Sequence, residues 1–521
     1  MCLWRIEFFH FHPGNEKEKN LVNPVDPVKK LLIKIESIPI KKRTQMTQFN
    51  RDNRSGKKIA IIVGYFENED YGLLGPQMAA TIIQDYTPYE CIVIAVTREY
   101  DRVALKKHLA EYFGKAKPLV GFSALSGRED LFALAKELRE EGFITILAGP
   151  QANVDFSGEE GWQDHPHRFK GLSEYFNFGL HGPAEQVVEL LNCLDRKEEW
   201  SQIPGLLYVN PNGNVVQNPS NAWNPGYLGK VHWNNIYKTA GEGLVPVDIG
   251  LGQVLQHIGC PHATRTTPLE IDYPVSVSEG QGKRIKLSLK GCSFCDVAAD
   301  KGYFGKLDRE TVISQIQCLP DTGDGRKIPF ELINENPLPG LPDLLREVSS
   351  RGIKLSQINL TLRADWLITG MRHLKETLVT AGELGVYVLL SSIGFESFDD
   401  TILKNLNKGL NAKNNIDAIR HIRKLKEEFP QQLGYATREG AIHGFIHPTP
   451  WDTGETAASI QKNISLYGLQ NDILPPHSTP LIIHHASGLG QWIRELERRE
   501  KLCFKRLGSI IAWWETPRHC G

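Results

Sequence analysis

The sequence predicts an α/β fold of two successive units, a doubly wound Rossmann-like sheet followed by a partial TIM-type barrel. Three observations point there. Strand and helix patterns alternate from Lys57 to Leu180 and again from Lys327 to Ile446, the mark of parallel sheets joined by helical crossovers. The strand patterns end in small or polar residues, among them Gly64, Gly121-Phe122-Ser123, Ala148-Gly149-Pro150, Arg363 and Glu396. Sheets of both kinds bind ligands at those carboxyl ends. Between the two runs, Asn218 to Gly229 is rich in Asn, Pro and Gly, which reads as connecting chain.

Composition narrows the function classes. A chain of 521 residues allows two to four domains. Its formal net charge of −1 offers no basis for a nucleic-acid or membrane-surface partner. No apolar run reaches the length of a membrane span. Nine cysteines over this length are not a disulfide scaffold. Cys2, Cys91, Cys193, Cys318, Cys503 and Cys520 therefore read as core or surface thiols, and the expected compartment is the reducing cytoplasm.

Residues 1–55 lack a sustained period and read as a poorly ordered N-terminal extension. Met46, just before a polar run and the first strand, reads as the true start; a genuine short arm is the alternative. Residues 56–200 form the first unit, with strands Ile59–Gly64, Glu90–Val96, Leu119–Ser123, Ile144–Ala148 and Asn177–Leu180. Its clearest helices are Val103–Phe113 and Leu131–Glu141. Residues 201–256 read as a linker. Gly205–Val209 and Val215–Gln217 flank Asn210-Pro211-Asn212-Gly213-Asn214, a hairpin signal, and Trp223, Trp233 and Tyr237 pack the linker on its neighbours.

The second unit, 257–470, has strands Lys327–Ile333, Gln357–Leu362, Val386–Ser391 and Ala441–Ile446. Its helices are Pro342–Ser350, Met371–Leu384 and Asn414–Glu428, with the stretches Asp399–Asn405 and Asn407-Lys408-Gly409 before the last of them. Residues 471–521 read as a C-terminal cap over the open side of the barrel. The cap carries Pro475-Pro476-His477, His484-His485, a helix Leu489–Lys501 and Trp513-Trp514.

The chemistry centres on Cys260 to Cys295. Two thiols two residues apart, Cys292 and Cys295, with Cys260 upstream, can grip a metal or an iron–sulfur cluster. The intervening segment 264–290 reads as a hairpin of Glu270–Ser278 and Arg284–Leu289 around Gly280-Gln281-Gly282, which would return Cys260 to the pair. Two readings stay open on these residues alone: a cluster on three thiolates, or zinc on Cys260, His262, Cys292 and Cys295.

This segment resembles the signature of the radical S-adenosylmethionine (radical SAM) enzymes, C-x-x-x-C-x-x-C with an aromatic before the last Cys. Phe294 fills the aromatic place and Gly259-Cys260-Pro261 resembles the motif's start. Ser288 stands where the first Cys would be, so the motif is split by the hairpin. Downstream blocks resemble the family's (β/α)6 core in order: Arg363-Ala364-Asp365, then Gly394-Phe395-Glu396-Ser397 with Leu403 to Gly409, then Gly444-Phe445-Ile446-His447-Pro448 with Thr453-Gly454-Glu455-Thr456. His447 replaces the usual Gly. The first unit resembles the cobalamin-binding domain found ahead of many such cores, through Val120-Gly121-Phe122-Ser123, Leu147 to Ala152 and His181-Gly182-Pro183-Ala184-Glu185. In Asp70-Tyr71-Gly72-Leu73-Leu74-Gly75, Gly72 occupies the place of a lower histidine ligand.

The resemblance implies a [4Fe-4S] cluster on Cys260, Cys292 and Cys295, with one iron left for S-adenosylmethionine and cleavage to a 5′-deoxyadenosyl radical. Glu335, Asn336, Arg363 and Glu396 would contact SAM, and Phe294 and Ile446 would flank its adenine. Gly72, Gly75, Ser123, Gly149 and Gly182 would line cobalamin, with no imidazole on the cobalt. The implied activity is cobalamin-dependent C-methylation or rearrangement of a small molecule or peptide, with a flavodoxin- or ferredoxin-like electron donor. The alternatives are a zinc-stabilised binding or regulatory protein and a catalytically inactive relative.

Overall fold

The computed structural model describes residues 56–520 apart from Asn68, 124–126, Glu242, 278–281, 296–302 and 475–477. The expectations for 1–55, for Pro475-Pro476-His477 and for most of the Gly280-Gln281-Gly282 turn lie outside the described residues.

The first sheet grows from β1 (Lys58–Gly64), whose KIAIIVG run is buried at every interior position, as a strand covered on both faces must be. β2 (Glu90–Val96), β3 (Leu119–Ser123), β4 (Ile144–Ala148) and β5 (Phe178–Leu180) complete a parallel core in the order β2-β1-β3-β4-β5. Strand order reverses between β1 and β3, which opens a crevice at their carboxyl ends.

The segment expected as a linker does more than connect. Its hairpin forms, as β6 (Leu206–Val209) and β7 (Val215–Gln217), but β6 pairs antiparallel with β5 and extends the sheet. β8 (Ile236–Ala240) pairs with β2 at the other edge and β9 (Gly243–Pro246) follows it. Leu206 and Leu207 are both fully buried, so each face of the hairpin needs a partner that only the sheet supplies.

The second sheet begins inside the same segment with β10 (Gly252–Leu255). The cysteine region follows, with β11 (His257–Gly259), β12 (Thr266–Asp272), β13 (Arg284–Lys290) and β14 (Tyr303–Lys306) in two small two-stranded pairs. The sheet resumes with β15 (Phe330–Ile333), β16 (Gln357–Arg363), β17 (Tyr387–Glu396), β18 (Leu433–Gly434) and β19 (Gly444–Phe445), all joined in parallel. Both β18 and β19 pair with β17, and no ladder joins β19 to β10 among the described residues. Helices Leu341–Ser350, Met371–Leu384 and Ala412–Glu428 bury their apolar stripes in the adjoining core.

The strand expected over Ala441–Ile446 shortens to β19 for a local reason. His443 is buried and its Nδ1 accepts from Ile393 N at 3.1 Å, while Nε2 lies 2.6 Å from Tyr435 O. The imidazole thus takes a backbone donor that a longer ladder would need. Burial holds its pKa down at about 4. Between that value and the ordinary histidine pKa the unfolded chain binds a proton that the folded chain refuses, so stability falls as pH falls through this window. The expected loss from pH 7 to pH 4 is about 3 kcal/mol. Urea midpoints of wild type and His443→Gln across that range measure it; equal pH slopes would refute it.

A third core lies under the C-terminal segment, where helix Gly488–Glu500 inserts Trp492, Ile493 and Leu496 against Ile271, Ile285 and Leu289 of the hairpin. A buried ion network ties this segment to the first unit: Arg506 reaches Glu159 at 2.7 Å and Glu497 at 2.6 Å. Cys503 and Cys520, expected as separate thiols, form a disulfide. Their approach depends on a two-stranded ladder of residues 502–503 with 518–519, which no local pattern announces.

Candidate cofactor site at the cysteine hairpin

β12 and β13 pair residue for residue from Thr266–Lys290 to Asp272–Arg284. The first arm therefore starts four residues earlier than the Glu270–Ser278 expected and stops before Pro274, which has no N–H to give a ladder. The base of this hairpin brings Cys260 within reach of the charge on Cys292. Burial pushes the Cys260 thiol up, and Cys292 adds to the rise. Among the described residues, no group with ligand atoms all within 4.8 Å contains these cysteines. A tetrahedral zinc site would need sulfurs about 3.8 Å apart, so the three thiols are spread wider than one zinc ion requires. His262, the fourth ligand of the zinc reading, has Nε2 3.0 Å from Asn407 O.

The loop after helix Asp400–Asn405 cradles the Cys-x-x-Cys turn. Asn407 adopts φ 52° and its Nδ2 donates to Gly291 O at 2.6 Å. Ser293 N donates to Leu406 O at 3.0 Å and Ser293 Oγ to Asn405 O at 2.8 Å. From the other side Leu489 N donates to Ser293 O at 2.8 Å. Every polar group of Ser293, a fully buried residue, is thus used to fix the two flanking thiols.

Arg363 ends β16 beside the thiols. Its Nη1 is 3.6 Å from Cys292 Sγ, its Nε donates to Asp365 Oδ1 at 3.0 Å, and Nη2 donates to Lys408 O. Burial works against its charge, but Cys292 and Asp365 outweigh it and raise the pKa. Glu396 ends β17 with φ 59°. Lys408 Nζ donates to its Oε1 at 3.1 Å, both side chains being at most 3% exposed. Its Oε2 is buried without a hydrogen-bond partner. Gly394 and Gly444 make room for it: a Cβ on Gly444 would stand 2.7 Å from Oε2. Ile446 N donates to Glu396 O at 2.8 Å, and Ile446 and Phe294 both pack on the third core. Arg363, Glu396, Ile446 and Phe294 are therefore tied to the cysteine loop or its core. Glu335 and Asn336 lie on the turn after β15, where Asn336 N donates to Asn334 Oδ1 at 2.9 Å.

The residues expected at the first sheet's site divide into two sets. Ser123 and Gly149 meet at the ends of β3 and β4, with Gly149 at φ 117° and the Ser123 hydroxyl 3.3 Å from where its Cβ would be. Gly75 is exposed and open. Gly72 is buried, and the space of its missing side chain is filled by the Trp233 ring. Gly182 is an exposed turn residue at φ 98°, closed over by Ser220. Sequence reading missed Arg128, which lies across the ends of β1 and β2: its guanidinium bonds Val96 O, Thr97 O and Asp130. A Cβ on Gly64 would stand 2.8 Å from Arg128 Nη1.

His484 and His485 face Asp155 of the first unit. His484 Nε2 lies 2.9 Å and His485 Nε2 3.5 Å from Asp155 Oδ1. Ala486 N donates to His484 Nδ1, which leaves the ring proton on Nε2 to donate to Asp155. Burial would raise the Asp155 pKa, but the two imidazoles hold it at about 2. Beyond Ala486, Ser487 Oγ donates to His484 O at 2.8 Å and Leu489 N reaches Ser293 O, so one short strap joins the first unit to the cysteine turn.

No protein-family model matches the sequence, and no curated protein matches it. Solved structures do. The cobalamin-dependent S-adenosylmethionine radical enzyme OxsB, with aqua-cobalamin and S-adenosylmethionine bound, superposes with a TM-score of 0.55 at 13% identity over 88% of this chain. OxsB with aqua-cobalamin alone gives 0.54 at 14% identity over the same share. The chain has the OxsB fold. It spans 64% of the length of those OxsB chains. At 13–14% identity the likeness is one of fold.

Proposed function

We propose that the chain is a radical SAM enzyme that holds a [4Fe-4S] cluster on Cys260, Cys292 and Cys295 and works with cobalamin. The observation that carries this reading is the paired hairpin, which returns Cys260 to Cys292 beside Arg363. The donor set suits the group: three thiols, spread wider than a single zinc needs, leave one iron of a four-iron cluster for another ligand. When bound, the cluster and SAM supply reductive cleavage of the sulfonium to a 5′-deoxyadenosyl radical.

The chain's own residues then bind and orient. Glu396 Oε2, buried and unpartnered, would accept from the SAM amino group, with Lys408 balancing its charge. Arg363 offers positive charge beside the thiolates and toward a carboxylate. Phe294 and Ile446 offer apolar surface to the adenine, and Glu335 and Asn336 a polar strand end. At the first sheet, Ser123, Gly149 and Gly75 leave backbone accessible to a corrin, whereas Gly72 and Gly182 act through packing and turn geometry. The partial-barrel arrangement, the C-methylation or rearrangement of a small molecule or peptide, and the flavodoxin- or ferredoxin-like donor belong to this same reading. OxsB is described as cobalamin-dependent, with cobalamin and SAM bound, which supports it at the level of fold.

Anaerobic reconstitution with iron, sulfide and hydroxocobalamin tests the proposal. The expected result is about four irons per chain, one corrinoid retained through desalting, and a reduced EPR signal that changes on adding SAM. A colourless, zinc-replete protein would instead support a binding or regulatory role, and a cluster indifferent to SAM an inactive relative.

A further inference from the structure

We propose that His167, Cys503 and Cys520 form a second metal site, a zinc site that fastens the C-terminal hairpin to the first unit when the two cysteines are reduced. The three residues come from distant parts of the chain. His167 lies between helix Ala152–Ser157 and β5. Cys503 and Cys520 lie on the terminal ladder, in which Leu502 pairs with His519 and Cys503 with Arg518. Cys520 N donates to Lys501 O at 2.9 Å, and the two cysteine Cα atoms are 5.7 Å apart.

One ligand atom from each of the three residues lies within 4.8 Å of the other two. His167 Nε2 is buried and has no hydrogen-bond partner. Glu497 Oε1, 3.5 Å from it, is already engaged by Arg506 and Phe504 N. An orphaned imidazole nitrogen is costly to bury, and coordination removes that cost. Two thiolates and an imidazole are a donor set suited to zinc. Nothing in the cysteine-hairpin site draws on these residues.

The disulfide and the zinc site are alternative states of one pair. A phosphine reductant takes up the two-electron change: the S–S bond breaks, water supplies oxygen to the phosphine, and two thiols form. Those thiols release two protons as two sulfur–zinc bonds form. The oxidised pair has no thiolate to offer.

The test uses the full chain carrying Cys260→Ala, Cys292→Ala and Cys295→Ala, so that zinc has no central thiols and the outcome does not depend on the function proposed above. After phosphine reduction the expected content is about one zinc per chain, falling below about a tenth of that with Cys503→Ser or Cys520→Ser added. Cobalt(II) in its place should give thiolate-to-metal charge-transfer absorption, absent from both serine variants and from the oxidised chain. His167→Ala should keep that absorption and weaken zinc binding at least about tenfold. Circular dichroism separates a misfolded variant from one that has lost a ligand. A reduced chain whose Cys503 and Cys520 are alkylated by iodoacetamide, yet which takes up no zinc before alkylation, overturns the proposal. So does zinc uptake unchanged by Cys503→Ser.

Discussion

Cys260→Ala is expected to abolish the proposed four-iron cluster as fully as Cys292→Ala does, although Cys260 lies outside the local Cys-x-x-Cys turn. The reason is the hairpin. Seven residue pairs, from Thr266–Lys290 to Asp272–Arg284, carry the chain out and back, so the inserted segment costs the site no distance. Ile271 and Ile285 near its far end and Leu289 at its base all pack on the third core, which holds both ends of the hairpin in place. Iron should fall from about four per chain to less than about one, since a cluster with two protein thiolates is poorly retained, and the SAM-dependent EPR change should vanish. Adding Ser288→Cys to Cys260→Ala should not restore either, because residue 288 is an exposed ladder residue paired with Pro268. Full iron content with a SAM-sensitive spectrum in Cys260→Ala would place the third ligand elsewhere. Rescue by Ser288→Cys would show that the hairpin opens.

Much of the framework is legible in the sequence because it is local. Strands such as Glu90–Val96 and Leu119–Ser123 are continuous apolar runs bounded by polar or Gly-containing turns, and they form where expected. Arg363 and Glu396 stand out as charges at the ends of apolar strands, a placement that needs a partner once buried. The partners themselves are not legible. Lys408 and Asn407 meet Glu396 and Gly291 only after β17 and the following helix fold back. The edge strands of the linker depend on a register such as Phe178 opposite Tyr208, which no local period encodes. Gly72 reads in sequence as freedom for a cofactor, yet its neighbour is Trp233, a contact set by tertiary packing. Nor does local sequence join Cys503 to Cys520, or Asp155 to the two histidines.

Glu396→Ala is expected to destabilise the chain by about 3–5 kcal/mol, because it strands the Lys408 ammonium in the interior. The pair is at most 3% exposed, with Nζ 3.1 Å from Oε1, so solvent offers little replacement for the lost partner. Lys408→Met should cost a similar amount by stranding the carboxylate. The double variant Glu396→Ala/Lys408→Met should cost less than the sum by at least about 2 kcal/mol, the coupling of a contacting pair. Urea unfolding of the four proteins measures that cycle, and additive costs would show that the two charges do not depend on each other. Function separates from stability in a further variant. Glu396→Gln keeps the volume that Gly394 and Gly444 accommodate but removes the charge, and an amide presents one acceptor oxygen where the carboxylate presents two. If Oε2 receives the SAM amino group, cluster-loaded Glu396→Gln should bind SAM at least about tenfold more weakly, the loss of a charged hydrogen bond, while its iron content stays at the wild-type level. Unchanged SAM affinity would leave Glu396 as the buried counter-ion of Lys408 and assign the amino group to another acceptor, with Glu335 at the end of β15 the next residue to replace.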